Sequence, residues 1–310
     1  MNEFASIYDE VYQPANEAEK LELIDKLHSG DYKLSFSSLS AFAVSPMAFV
    51  NYKVGERKET PAMLLGNVLH CLLLEEEAFK DRYLIGPENA PLNTAAGKNE
   101  WAAFAMDVAG ASFETNKQGN YNIPAKGELF KLIEGATGMK VVDRSTVDEA
   151  RFRARSVVSN RACRYVLNKI EQTEVALPDD FEVDGIRFTG RIDGKGSRVI
   201  ADLKNMPDAT MAKAVSTVWS RRLHWQAWAY DESFGGGNKC YVLAVDGSGE
   251  TSAICFHENN LSSAKRQVRQ YVQKFKAAVL ESMLISPTVW DRSQDFWCAT
   301  DMNPEGIIYL

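Results

Sequence analysis

The spacing of apolar side chains along the chain predicts a helical first half and a mixed second half. Residues 1–30 are acidic and read as a helical lead-in, with Glu17, Glu19, Glu22 and Asp25 outside and Leu21, Leu23, Ile24 and Leu27 available for packing. A second helix is predicted over Ser37–Tyr52, kinked or split at Pro46, where the ring removes a backbone donor. A third, Pro61 to about Leu74, is apolar on almost every side, which predicts burial, and Pro61 suits its first turn. From about Pro87 to Ile170 the pattern is mostly helical, with loops at Pro87, Pro91, Gly97 and Asn116–Asn122, and reads as a helical insertion.

From Glu171 the period shortens to that of strands. Thr173–Leu177, Phe181–Arg191 with a turn at Asp184-Gly185, and Arg198–Lys204 predict a three-stranded antiparallel unit. Helical segments follow around Ala209–Val218 and Arg222–Phe234, then a turn at Gly235–Gly237 and strands at Lys239–Val245 and Ser252–His257. A closing helix, roughly Leu261–Met283, carries Val268, Val272, Phe275 and Val279 on one side and Lys265, Arg269 and Lys276 on a neighbouring stripe. A sheet with flanking helices makes an α/β or α+β domain.

Composition narrows the class. With 45% apolar and 25% charged residues the chain can bury a full core. The longest nearly apolar stretch, Ala62–Leu74, is interrupted by Gly66, Asn67 and His70 and is too short to cross a bilayer. The first residues lack the basic start and apolar run of a secretory signal, so a cytoplasmic protein is expected. Cys71, Cys163, Cys240, Cys255 and Cys298 are odd in number and form no C-x-x-C pair, which argues against a disulfide framework or structural zinc and predicts small core residues.

The 35 basic and 42 acidic residues give a formal charge of −7, which taken alone argues against a nucleic-acid partner. The distribution changes that picture. Arg151, Arg153, Arg155, Arg161, Arg164 and Lys169 occur between Arg151 and Ile170 with no acidic residue, and Lys265, Arg266, Arg269, Lys274 and Lys276 repeat the pattern between Leu261 and Lys276. Each segment taken alone reads equally as a solvated helix face or a phosphate track.

The chemistry concentrates in Gly190-Arg-Ile-Asp193, a turn at Gly194–Ser197, and Val199-Ile-Ala-Asp202-Leu-Lys204. Side chains two apart on a strand share a face, so Asp202 and Lys204 point one way and Leu203 the other, while the turn folds Asp193 back beside Asp202. A bare D-x-K is more often a surface ion pair. Here, however, two carboxylates brought together call for a cation, and oxygen ligands select Mg²⁺ or Mn²⁺. The Leu203 carbonyl would add another oxygen, and such a site suits phosphodiester hydrolysis. Lys204 would position the attacking water or stabilise the pentacovalent state, with its pKa lowered by burial or raised by the carboxylates. Gln226 and Tyr230, one helical turn apart, project from one side of a helix to hold the backbone or the active-site loop.

The order G-R-x-D (Gly190–Asp193), D-x-K (Asp202–Lys204) and H-x-Q-x-x-x-Y (His224–Tyr230) resembles the RecB-like branch of PD-(D/E)XK nucleases, most closely the phage-derived RecE-type exonucleases. Upstream, Leu34-Ser-Phe-Ser-Ser-Leu39, Ser45-Pro46 and Leu65-Gly66-Asn-Val-Leu-His70 are similar to that family's N-terminal pattern. The resemblance runs from about Leu34 to Ser286, loosely over 90–165. It implies a restriction-endonuclease-like core, a mixed central sheet flanked by helices, in residues 34–286. A helical lead-in (1–33), a mostly helical region (about 88–170) and a tail (287–310) complete the organisation. It also makes His70 a metal neighbour, with Gly66 one turn earlier leaving room for metal or phosphate, and Glu174 the acidic residue of the first strand. No iron–sulfur cluster is expected, since only Cys298 lies near the C-terminus, and no G-x-x-x-x-G-K-[ST] nucleotide loop occurs.

The implied activity is 5′→3′ exonucleolysis of double-stranded DNA ends. It would leave a 3′ single strand for a partner annealing protein, in the host cytoplasm if the chain is phage-encoded, from a ring-shaped homo-oligomer. Arg151, Arg153, Arg155, Arg161, Arg164, Lys265, Arg269 and Lys276 would meet phosphates. An endonuclease or repair nuclease on the same core, and a non-catalytic DNA-binding protein on a degenerate fold, are the alternatives.

Overall fold

The computed structural model, which describes residues 17–30, 32–54, 59–88 and 90–280, resolves the N-terminal helical run into separate pieces. Helix α1 spans Glu17–His28 and strand β1 Lys33–Leu34, and Pro46 divides the second predicted helix into α2 (Phe36–Phe42) and α3 (Pro46–Val54). Ser35 caps α2 reciprocally with Ser38, which fixes where that helix begins. Helix α4 (Pro61–Leu74) starts on a Thr60 cap with proline in its first turn.

Helix α4 corrects one expectation. Only Val68, Leu69 and Cys71 among its residues are buried. The side bearing Ala62, Met63, Gly66, Asn67 and His70 lines an open cleft, so its apolar surface is shared between core and cleft wall.

After α4 come a short α5 (Phe79–Arg82) and strand β2 (Tyr83–Ile85), and the predicted insertion then contains α6 (Ala95–Ala109), α7 (Lys126–Thr137), strand β3 (Lys140–Val142), α8 (Arg144–Ser159) and α9 (Arg161–Leu167). Trp101, Ala105, Leu129, Ile133 and Val141 form its own small core. Strands β2 and β3 pair in parallel at its base. Three residues are too few to display a period of two, so the sequence pattern missed this pair.

The second half follows as β4 (Gln172–Ala176), β5 (Glu182–Val183), β6 (Ile186–Phe188), β7 (Arg191–Lys195), β8 (Val199–Asn205), α10 (Met211–Ser220), α11 (Leu223–Ser233), β9 (Lys239–Val245), β10 (Thr251–Cys255) and α12 (Glu258–Leu280). The central sheet runs β10-β9-β8-β7-β4, with β8 and β9 parallel and the other pairs antiparallel. A three-stranded antiparallel unit exists as β4-β7-β8, but its middle strand is Arg191–Lys195, not the predicted Phe181–Arg191, and it runs into the predicted turn at Gly194–Ser197. The stretch Phe181–Arg191 is not a single strand, however. Hairpin β5–β6 leaves the central sheet and pairs in parallel with β1. The chain bends at Thr189-Gly190, where the Thr189 N–H donates to the Leu34 carbonyl and Gly190 presses against Leu177 and Tyr230.

Both faces of the sheet are covered, which explains the continuous apolar run Val199-Ile-Ala in β8. Ile192, Ile200, Val242 and Ala244 pack with Phe42, Phe49, Trp225, Val268, Val272 and Phe275 from the α2–α3 and α11–α12 side. Val199, Ala201, Leu203, Leu243 and Val245 pack with Val68, Leu69, Val147, Val157 and Cys163 from α4, α8 and α9. Cys71, Cys163 and Cys240 are buried free thiols, but Cys255 is exposed, and Cys298 lies outside the described residues, as does the 287–310 tail. Among the described residues no helix is long and apolar enough to cross a membrane.

Candidate metal centre

The site opens where two strands part. Strands β7 and β8 pair at Gly194↔Ala201 and Lys195↔Ile200, and no further pairs join them beyond Asp193. Side chains take over the main-chain groups of Leu203 that would have continued the ladder. Asp193 Oδ2 accepts the Leu203 N–H at 2.7 Å, and His70 Nε2 lies 2.8 Å from the Leu203 carbonyl. A carbonyl only accepts, so His70 carries its proton on Nε2 in this arrangement. The same nitrogen is 3.7 Å from Asp193 Oδ2.

Glu174 completes the group from the edge strand. It lies between the pairs Thr173↔Gly194 and Val175↔Ile192, opposite Asp193, yet its φ is +54°. A left-handed residue other than glycine costs about 1–2 kcal/mol, and such strain gathers at functional sites. The result is that His70, Glu174 and Asp193 offer donor atoms that all lie within 4.8 Å of one another. Arg191 pairs with Glu174 at 3.4 Å. Burial, reinforced by the nearby charge of Asp202, pushes the Asp193 carboxyl up to about 6.

Asp202 and Lys204 share the face of β8 that looks toward α11, as the strand period requires. Asp202 is 7% exposed, and Lys204 Nζ lies 2.8 Å from its Oδ1 and 2.7 Å from its Oδ2. Burial works to lower the Lys204 pKa, but Asp202 and Asp193 outweigh it and the net shift is upward, so the amine stays charged. This settles the alternative that the sequence left open. Asp202 is paired with Lys204 here, and Glu174 joins His70 and Asp193 as a third converging donor.

Above this pair, the Tyr230 hydroxyl donates to the Arg191 carbonyl at 2.6 Å and accepts from Gln226 Nε2 at 2.6 Å. Tyr230 has one proton to give, so the amide end of Gln226 must face it. That leaves the Gln226 carbonyl oxygen for the cleft it lines.

The cleft holds about 1350 Å³ and is lined by His70, Asp193, Glu174, Lys204 and Gln226, with Arg82, Arg153, Arg221 and Arg222 among its cations. Of the eight basic residues expected to meet phosphates, Arg153 alone is among them. Arg151, Arg155, Arg161 and Arg164 are exposed on α8 and α9. Lys265 pairs with Glu232, Arg269 with Asp184, and Lys276 donates to the Asp184 carbonyl, so these three tie α12 to its neighbours. Arg82, Arg221 and Arg222 were missed because none lies in a basic run. Gly66 borders the cleft, and a methyl group added there would meet nothing within 4 Å, so open space rather than close approach surrounds it.

Two carboxylates, an imidazole nitrogen and a peptide oxygen, mostly withdrawn from solvent, are a donor set that fits a divalent cation. The ion would also relieve the repulsion that holds Asp193 toward its protonated form.

Comparison with known proteins bears on the family and the fold. No curated protein matches the chain. A crystal structure from Eubacterium rectale, described as a "putative exonuclease", superimposes with a TM-score of 0.50 at 13% identity, covering 82% of this chain and 84% of that one. The likeness shows a shared fold. The family model described as "PDDEXK-like domain of unknown function (DUF3799)" matches residues 35–282. With its strand-parting acidic site on a mixed five-stranded sheet, the chain belongs to this PDDEXK-like family and has the PD-(D/E)XK nuclease fold.

Proposed function

We propose that the protein is a divalent-metal-dependent DNA nuclease, acting as a 5′→3′ exonuclease on duplex ends. The observation that carries the reading is the convergence of Asp193, Glu174 and His70 beside the Asp202–Lys204 pair on the wall of one large cleft. A purely structural site has little reason to keep a charged lysine, two acids and a strained glutamate together away from water. The exonuclease description of the similar fold and the RecE-type motif order support end-directed cleavage. Polarity, a ring-shaped oligomer and a single-strand annealing partner rest on that motif order.

In this reading Asp193, Glu174 and His70, with the Leu203 carbonyl, hold Mg²⁺ or Mn²⁺. For His70 Nε2 to ligate, the imidazole must move its proton to Nδ1. The ion supplies charge neutralisation at the phosphate and a more acidic water. The Lys204 ammonium, kept protonated by Asp202 and Asp193, faces the charge that develops on the phosphoryl oxygens. Asp202 fixes the lysine, and the oriented Gln226 carbonyl accepts a hydrogen bond from the attacking water. Exposed Arg151, Arg155, Arg161 and Arg164 would meet phosphates outside the cleft, adding salt-sensitive affinity.

The test is digestion of end-labelled linear duplex and of closed circular plasmid, with Mg²⁺ or Mn²⁺ and with chelator. Expected is shortening of the linear substrate from its 5′ ends, an intact circle, and loss of cleavage in chelator and in Lys204→Ala. Cleavage of the circle would replace the exonuclease by an endonuclease. Undiminished digestion by the variant would remove the proposed chemistry.

A further inference from the structure

The arginines lining the cleft are not equivalent. Arg82 is clasped by both oxygens of Glu75, at 2.5 and 2.8 Å. Arg153 is buried and spans Glu149 and Asn205. Arg222 borders the same cleft but has no carboxylate partner among the described residues. Instead its guanidinium carbon lies 5.3 Å from the centre of the Trp225 ring.

That ring is a fixed platform. Trp225 is 1% exposed, its Nε1–H donates to Gln267 at 2.8 Å, and it packs against Tyr271 with centroids 5.1 Å apart. A guanidinium stacked on an aromatic face keeps its in-plane donors for a partner at its edge, which suits the oxygens of a phosphate. Arg222 also adopts φ +55°, a left-handed conformation that glycine or asparagine would take with less strain. The backbone at this junction of α10 and α11 thus holds a large cation in a conformation that by itself would favour glycine.

Its place relative to the site is set by α11. Arg222 immediately precedes α11, four residues before Gln226, and lines the same cleft as Gln226. Gln226 and Tyr230 stand over the Asp202 side of the site. Arg222 stands at the N-terminal end of the same helix.

We propose that Arg222 is a phosphate anchor for the DNA strand being cut, holding a phosphodiester beside the one at the metal centre; this deepens the nuclease reading and rests on it. The anchor is independent of sequence, since it addresses the sugar–phosphate backbone and no base edge.

The experiment is binding of a fluorescently labelled duplex to the full-length protein in metal-free buffer, titrated over a range of salt, for wild type, Arg222→Gly and Arg222→Lys. Glycine accepts the left-handed backbone, so its thermal midpoint should match or exceed the wild type while affinity falls about tenfold. The slope of log affinity against log salt should become shallower by about 0.9, one phosphate contact fewer. The lysine variant should keep the wild-type slope with weakened affinity, and it carries the test if the glycine variant proves unstable. Wild-type affinity and slope in both variants would overturn the anchor alone, provided the wild type binds and cleaves. A wild type that binds no duplex in this buffer and cleaves none with Mg²⁺ would overturn the nuclease reading and the anchor together.

Discussion

A methyl group on Gly196 would stand 1.9 Å from the carbonyl oxygen of Lys169. The turn between β7 and β8 is therefore pressed onto the segment following α9, and its Gly196 N–H is already committed to the Val199 carbonyl. The obstacle is main chain and cannot rotate away. Gly196→Ala should destabilise the fold by about 2–4 kcal/mol, read as a lower denaturant midpoint. Gly66→Ala, a helical position with open space around it, should instead stabilise by about 0.5–1 kcal/mol. Equal effects at the two glycines would contradict the packing described.

The shift at Asp193 makes metal-free stability depend on pH. Its folded pKa, about 6, exceeds the ordinary value of 3.8, so between these limits the folded state keeps a proton that the unfolded chain has lost. Stability should fall as pH rises through that window, by up to about 3 kcal/mol. A divalent ion displaces the same proton, so the rise in thermal midpoint on adding Mn²⁺ should grow as pH passes about 6. A metal-induced shift that stays constant from about pH 5 to pH 8 would remove Asp193 from the ligand set.

Asp202 and Lys204 should respond as a pair. Lys204→Met leaves a buried carboxylate without its amine and should cost about 3–5 kcal/mol. Adding Asp202→Asn removes the stranded charge and should recover most of that loss, while cleavage stays absent in both proteins. Chemical denaturation of the four members of this cycle measures the coupling. Additive effects would mean that the two groups do not interact as their 2.7–2.8 Å separations indicate.

At Glu174 the backbone and the carboxylate make opposite demands. Glycine relieves the left-handed φ of +54° and alanine does not, so Glu174→Gly should be more stable than Glu174→Ala by about 1 kcal/mol. Both should lose much of the thermal stabilisation conferred by Mn²⁺, because either change deletes one of three converging donors. Full retention of that stabilisation in both variants would show that the carboxylate is not a ligand.

Local rules made much of this protein legible in its sequence. Pro61 marks the start of α4, and Pro46 breaks the second helix, because proline acts within a turn or two of itself. The D-x-K pair shares a face because a strand alternates regardless of what surrounds it. What depends on contacts between distant segments was not legible. Glu174 reaches the site through a strained φ that no local preference favours. Hairpin β5–β6 leaves the central sheet for β1, pairing Arg187 with Lys33 from the far end of the described chain. The basic stripe of α12 spends its charge on Asp184 and Glu232, while Arg222, outside both basic segments, borders the cleft. The sequence by itself determined most of the longer helices and strands and the identity of the acids and the lysine, since these follow from neighbours along the chain. Only the tertiary structure decided which groups converge and which cations are neutralised, since burial and charge pairing belong to the packed whole.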